Sequence, residues 1–174
     1  VGSGKTVMGL LVIQALQEAS PNLRVNWVAC RKHILEQTRE INDAFFHCSL
    51  RYVSVFCNDP PEADMVILDE AHHEATQSCV DMYEKTKNRL TLGLSATPLR
   101  TDRMRLSFQN DVLCCGIPQL ISKGVLSPFD SYKLPAWNLE LVEKVFCADP
   151  AKWGKTLAFF SRIDECRYFQ RAAE

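Results

Sequence analysis

Apolar positions along the chain alternate between a helical and an extended rhythm. Lys5 to Ala19 is rich in helix formers and apolar almost all round, which predicts a buried helix. Ser20-Pro21-Asn22 stops it. Val25 to Cys30 reads as a strand, and Ile34, Leu35, Thr38, Ile41 and Phe45 then recur at helical spacing. Leu50 to Cys57 is a second strand, with Val53, Val55 and Cys57 on one face, and Asn58-Asp59-Pro60-Pro61 is a tight turn. Met65 to Leu68 is short and continuously apolar, as a strand buried on both faces of a parallel sheet requires. Thr76 to Lys87 is helical and Leu90 to Leu94 is another strand.

The pattern loosens after residue 110. Pro118 to Lys123 reads as a short helix ended by Gly124, and Phe129 to Leu134 as an extended run. Pro135 to Trp153 resembles a linker holding one helix. Lys155 to Phe160 predicts a new strand, and Ser161 with Asp164 resembles a capping box opening a last helix. No internal repeat or low-complexity tract is visible.

Strand–helix alternation predicts an α/β fold, a parallel sheet with helices on both faces. Ligands in such sheets bind beyond the carboxyl ends of the strands. Two polar clusters begin where a strand ends: Asp69-Glu70-Ala71-His72 after Met65–Leu68, and Ser95-Ala96-Thr97 after Leu90–Leu94. A third, Gly2-Ser3-Gly4-Lys5-Thr6, opens the first helix. All three are therefore expected on one edge.

Composition changes this picture little. The 174 residues suit one domain, or one plus part of a second. With 47% hydrophobic and 24% charged residues the chain reads as an ordinary globular protein. A net charge of −1 advertises no basic nucleic-acid surface, so such a partner cannot be argued from charge. The eight cysteines form no Cys-x-x-Cys pair, and Cys114-Cys115 has no partner at zinc-like spacing. Buried free thiols in a reducing cytosol are the expectation. No apolar run reaches the roughly 18 residues of a membrane span.

The chemistry of each cluster follows from its residue types. Glycines let a backbone approach phosphate oxygens without a clashing Cβ, and a helix N-terminus adds partial positive charge. Gly2, Ser3, Gly4, Lys5 and Thr6 thus suit a phosphate cradle, with Lys5 on the outer phosphates and the Thr6 hydroxyl on Mg²⁺. Asp69 suits the same hard cation through oxygen. Glu70, one residue on, suits polarising an attacking water. Acids at a helix N-terminus are favourable without any such role, so the plain alternative stays open. His72 could bond across to Ser95 and Thr97. His72, His73 and Glu74 suggest a metal site, but neighbours on a helix face different ways and share one metal poorly, so His73 reads as a solvent or packing residue. Pro98 keeps Thr97 out of helical geometry. Arg100, Asp102, Arg103 and Arg105 read either as surface charge or as contacts to a partner.

Gly-Ser-Gly-Lys-Thr, Ile67 to His73 and Leu92 to Asp102 resemble motifs I, II and III of superfamily 2 helicases. The flavour is similar to the DEAD/DEAH-box relatives that include restriction-enzyme motor subunits and excision-repair helicases. Ala29 to Gln37 looks like motif Ia, with Cys30 where the family usually has Pro, and Lys155 to Ser161 is similar to the strand around motif IV. The resemblance implies a RecA-like P-loop NTPase. Residues 1–134 would be a first RecA-like domain truncated at its start, 135–153 a linker, and 154–174 the start of a second RecA-like domain. It further implies ATP and Mg²⁺ as cofactors, Lys5 and Glu70 as catalytic groups, and Thr6 and Asp69 as metal partners. His72, Ser95, Ala96 and Thr97 would couple hydrolysis to movement, and Arg31 and Lys32 would touch a nucleic-acid backbone. The expected partner is DNA, with an RNA-directed motor and a non-processive nucleotide switch as alternatives. A cytoplasmic setting is expected, nuclear in a eukaryote, with no membrane partner. Arginine fingers of the second domain are worth roughly 10³–10⁵ in rate in related enzymes, so this chain alone is expected to hydrolyse ATP negligibly.

Overall fold

The computed structural model describes residues 4–97, 99, 104–129, 137–154 and 156–173. The chain divides into two compact units, Val1–Pro128 and Phe129–Glu174.

The first unit is built on four parallel strands: β1 (Val25–Ala29), β2 (Leu50–Ser54), β3 (Met65–Asp69) and β4 (Leu90–Leu94), in the spatial order β2-β1-β3-β4. The uninterrupted apolar run of β3 is explained by its interior place, because every residue of the strand is buried. Odd and even positions supply opposite faces. Val25, Trp27, Ala29, Met65 and Ile67 pack with Leu10 and Ile13 of α1 (Lys5–Ala19) and with Leu35 of α2 (Lys32–Ile41). Val28, Val66 and Leu68 pack on the other face with Cys79 and Met82 of α3 (Gln77–Thr86). α2 runs on into a π-helical turn over Asn42–Phe46.

Two expectations about this unit change. α1 is buried along one stripe only, at Gly9, Leu10 and Ile13. Val7, Leu11 and Val12 are exposed, Leu11 by 51%. A single layer of helix on a sheet face has one inward side, and among the described residues nothing covers the other. All eight cysteines are free as expected, but Cys114, Cys147 and Cys166 are exposed rather than buried.

The amino edge of the sheet is tied by Arg24 and Asp64, which precede β1 and β3. Asp64 accepts from Arg24 Nε at 3.1 Å, Nη2 at 2.9 Å and the backbone N–H at 3.0 Å. This grip holds the Asp64 carboxyl down at about 2. The unit ends with the short helix α4 (Ile117–Ser122), where Pro118 fits the first turn.

The second unit holds α5 (Leu139–Ala148), α6 (Pro150–Trp153) and α7 (Ile163–Ala173). Phe169 of α7 is its one buried apolar anchor among the described residues, with Phe146 at 5.3 Å and Phe160 at 5.2 Å between ring centroids. The 135–153 stretch, expected to hold one helix, holds α5 and α6 among its described residues, and α5 packs against α7. The strand expected over Lys155–Phe160 does not form in 156–160, and Lys155 lies outside the described residues. A strand needs a paired neighbour, and this unit contains none among the described residues; Phe159 stands 88% exposed. The extended run expected over Phe129–Leu134 lies, beyond Phe129, outside the described residues. The last helix also starts later than its capping signal. Arg162 stands before Ile163, and Glu165 rather than Asp164 accepts its backbone N–H at 3.2 Å.

Candidate active site

Because all four strands run the same way, their carboxyl ends share one edge. Lys5 opens α1 at that edge. Gly4 is its N-cap, with φ 75° and ψ 22°. A Cβ there would meet open space, so the left-handed backbone, not crowding, is what calls for glycine. Among the described residues no side chain caps the first turn of α1 and no acid stands in it, so its N–H groups and partial positive charge meet no described partner. Thr6 lies half-buried in that turn, while Gly2 and Ser3 lie outside the described residues.

β3 delivers Asp69 to the same edge, 6% exposed. Its Oδ1 accepts the Glu70 N–H at 2.9 Å. Burial raises the Asp69 pKa above the ordinary carboxylate value, the Glu70 N–H opposes this, the Glu70 charge adds to it and Lys5 opposes it. Among the described residues no cationic side chain pairs with Asp69 directly. A nearly buried carboxylate with spare oxygen lone pairs fits a hard divalent cation, whereas the partial positive charge of the α1 N-terminus fits an anion.

Glu70 takes a left-handed backbone, φ 56° and ψ 53°, which costs a non-glycine residue free energy. The bend turns the chain out of β3 into the 3₁₀ turn Ala71–His73. It places Glu70 between two partners: Lys5 Nζ at 4.0 Å from Oε1, and His72 Nδ1 at 3.3 Å from Oε2. His72 Nδ1 is also 3.4 Å from Ser95 Oγ. The Ser95 hydroxyl donates to the Thr97 carbonyl at 2.6 Å and accepts the Thr97 N–H at 3.1 Å. With its hydroxyl proton so committed, Ser95 can only accept from His72, so the network assigns the imidazole proton to Nδ1. Lys5, Glu70, His72, Ser95 and Thr97 form one continuous polar chain, with Ala96 exposed inside its last loop.

His73 lies against His72 with ring centroids 4.1 Å apart and the rings tilted by 47°, and burial lowers its pKa. Arg31 and Lys32 are exposed where α2 begins, beyond the carboxyl end of β1. Lys32 lines an open groove of about 600 Å³ with Arg51, Ser54 and the exposed Phe56. Arg105 is exposed, whereas Arg100, Asp102 and Arg103 lie outside the described residues.

The packing roles of three residues that matter to the site were not read from the sequence. Gly9 lets α1 sit on Trp27, where an added Cβ would stand 2.8 Å from the ring. Gly93 and Glu74 fasten the segment that follows Ser95. A glycine inside an otherwise strong helix pattern was a readable sign of close approach. Glu74 carried no comparable signal.

Residues 57–100 match the family described as "Type III restriction enzyme, res subunit". That stretch runs from the end of the β2 turn through β3, α3 and β4 to the Ser95–Thr97 loop. The chain is also similar to "Putative helicase 22" of Sulfolobus islandicus filamentous virus (isolate Iceland/Hveragerdi), 44% identical over 46 residues. That alignment covers 26% of this chain and 8% of the viral protein. The α/β architecture, an all-parallel sheet flanked by helices, is that of a RecA-like P-loop domain, and both likenesses support a helicase-family protein. Among the described residues no helix is long and apolar enough to cross a membrane.

Proposed function

We propose that this chain is the first motor domain of an ATP-dependent nucleic-acid helicase or translocase, working on DNA. The observation that carries the reading is the unbroken polar chain from Lys5 through Glu70 and His72 to Ser95 and Thr97. One end lies where a phosphate would rest on a helix N-terminus. The other lies in a loop able to change partners. Lys5 and the α1 amides would hold the outer phosphates, while Thr6 and Asp69 would hold Mg²⁺, whose charge offsets that of the phosphates. Glu70 orients and polarises water once Lys5 turns from it to phosphate. Loss of that pairing changes the charge facing His72, and His72 passes the change to the Ser95 loop. Arg31 and Lys32 suit contact with phosphates, a sequence-blind grip.

The choice of DNA over RNA rests on the resemblance of the motifs to those of restriction-enzyme motor subunits and excision-repair helicases. In the intact protein, Lys5→Ala or Glu70→Gln is expected to abolish nucleic-acid-stimulated ATP hydrolysis. Full stimulation in either variant would refute the assignment. Running the wild type with single-stranded DNA and with RNA decides the substrate, since the preferred strand should stimulate at lower concentration.

A further inference from the structure

Glu74 is a carboxylate only 7% exposed, and the chemistry above makes no use of it. Its backbone N–H closes the 3₁₀ turn on the Ala71 carbonyl at 3.0 Å, so it stands two residues after His72 on the same rigid turn. Its Oε1 accepts a hydrogen bond from the Ser107 N–H, 33 residues along the chain. The next residue, Phe108, fills the space over Gly93 in β4. A Cβ on Gly93 would stand 2.5 Å from Phe108 Cζ and 2.8 Å from the Ala71 Cβ. Phe108 also packs against the buried cluster containing Ala71 and Cys79.

The chain that leaves β4 at Ser95 therefore comes back to the same short turn. Its outgoing limb meets His72 and its return limb meets Glu74. Within it, Leu99 and Arg105 form an antiparallel bridge. A loop held at one end only would absorb a displacement by bending. One held at both ends moves with its support. We propose that Glu74 is a positioning residue: it anchors the return limb, 104–107, so that a rearrangement of the Glu70–His72 turn reaches both the outgoing limb at Ser95–Thr97 and the return limb at Ser107. This rests on the motor function proposed above. The Ser107 N–H needs an acceptor at this place rather than a charge, so an amide oxygen can replace the carboxylate.

The test uses the intact protein as wild type, Glu74→Ala, Glu74→Gln and Phe108→Ala. Two quantities are read on the same samples: ATP hydrolysis with and without single-stranded DNA, and hydrogen exchange over residues 104–108. Glu74→Ala should lose stimulation by about tenfold or more while basal hydrolysis and the KM for ATP stay within about twofold. Its exchange at Ser107 should accelerate at least as strongly. Glu74→Gln should keep both near wild type, and Phe108→Ala should behave like Glu74→Ala. Stimulation that survives in Glu74→Ala despite faster exchange would overturn the proposal. So would equal loss of basal and stimulated rates, the mark of a merely structural role; if Glu74→Ala does not fold, Phe108→Ala decides between these outcomes. A wild type that no strand stimulates would sink the motor reading and the coupling role with it, and unchanged exchange in Glu74→Ala would sink the anchor alone.

Discussion

Gly9 sets how closely α1, and with it Lys5, lies on the sheet. A Cβ at this position would stand 2.8 Å and 3.1 Å from Cη2 and Cζ3 of Trp27 and 3.0 Å from Cδ1 of Leu94. Real Cβ atoms essentially never come as close as the 2.8 Å contact to Trp27, and the other two are tighter than most real contacts. Trp27 is fully buried in β1, between the α1–α2 layer and the neighbouring strands, so it cannot step aside. Overpacking a filled core costs about 1–3 kcal/mol, and a rigid aromatic wall puts Gly9→Ala in the upper half of that range. Alanine returns about 1 kcal/mol through helix propensity. The net is a destabilisation of about 1–2 kcal/mol, or roughly 3–6 °C in Tm. Thermal unfolding followed by circular dichroism measures it. A Gly9→Ala protein melting at or above the wild type would refute the reasoning, since propensity would then outweigh packing. A Trp27→Phe second change removes the colliding ring atoms. The double variant should therefore lose less than the sum of the two single losses.

Two further outcomes follow from the carboxylates. Asp64 is held at about 2, below its ordinary value of 3.8, so its contribution is complete above about pH 4 and disappears as pH falls from 3.8 toward 2. Asp64→Asn should flatten that part of an acid-unfolding curve, and an unaltered acid limb would count against the Arg24 pairing. Asp69 is shifted the other way. Its pKa is raised, so the folded state is penalised at neutral pH and relieved as pH falls through the raised pKa. Without divalent cations, Asp69→Asn should therefore raise Tm at pH 7, with the gain shrinking in acid. A lower Tm for Asp69→Asn at pH 7 would show that its ionised form is compensated locally.

Most of the first unit could be read along the chain, for identifiable reasons. The four strands and the three main helices of that unit formed close to where they were expected, except that β2 stops at Ser54 and turns before Cys57, where the expected strand ended. The terminal segments were short. Without a neighbouring strand, 156–160 had nothing to pair with, and extended propensity alone does not make a strand. The cap expected from Ser161 and Asp164 moved by one residue because capping motifs depend on where the first turn closes. Lys5, Asp69, Glu70, His72, Ser95 and Thr97 were legible because phosphate and cation chemistry restricts residue type and order. Glu74, Gly93 and Phe108 were not. Their meaning lies in contacts between distant segments, Glu74 with Ser107 across 33 residues and Phe108 over Gly93, which no local pattern announces.

By itself the sequence determined the alternation of strands and helices, hence a parallel sheet whose loops of opposite charge and small hydroxyl side chains gather at one edge. Side-chain periodicity and turn chemistry act over a few residues and suffice for that. Only the tertiary structure decided that Glu70 bends left-handed to face Lys5 and His72 together, that α1 rests on Trp27 through Gly9, and that the loop after β4 returns to Glu74. Those outcomes are distances across packed elements, and such distances exist only once the sheet has closed on its helices.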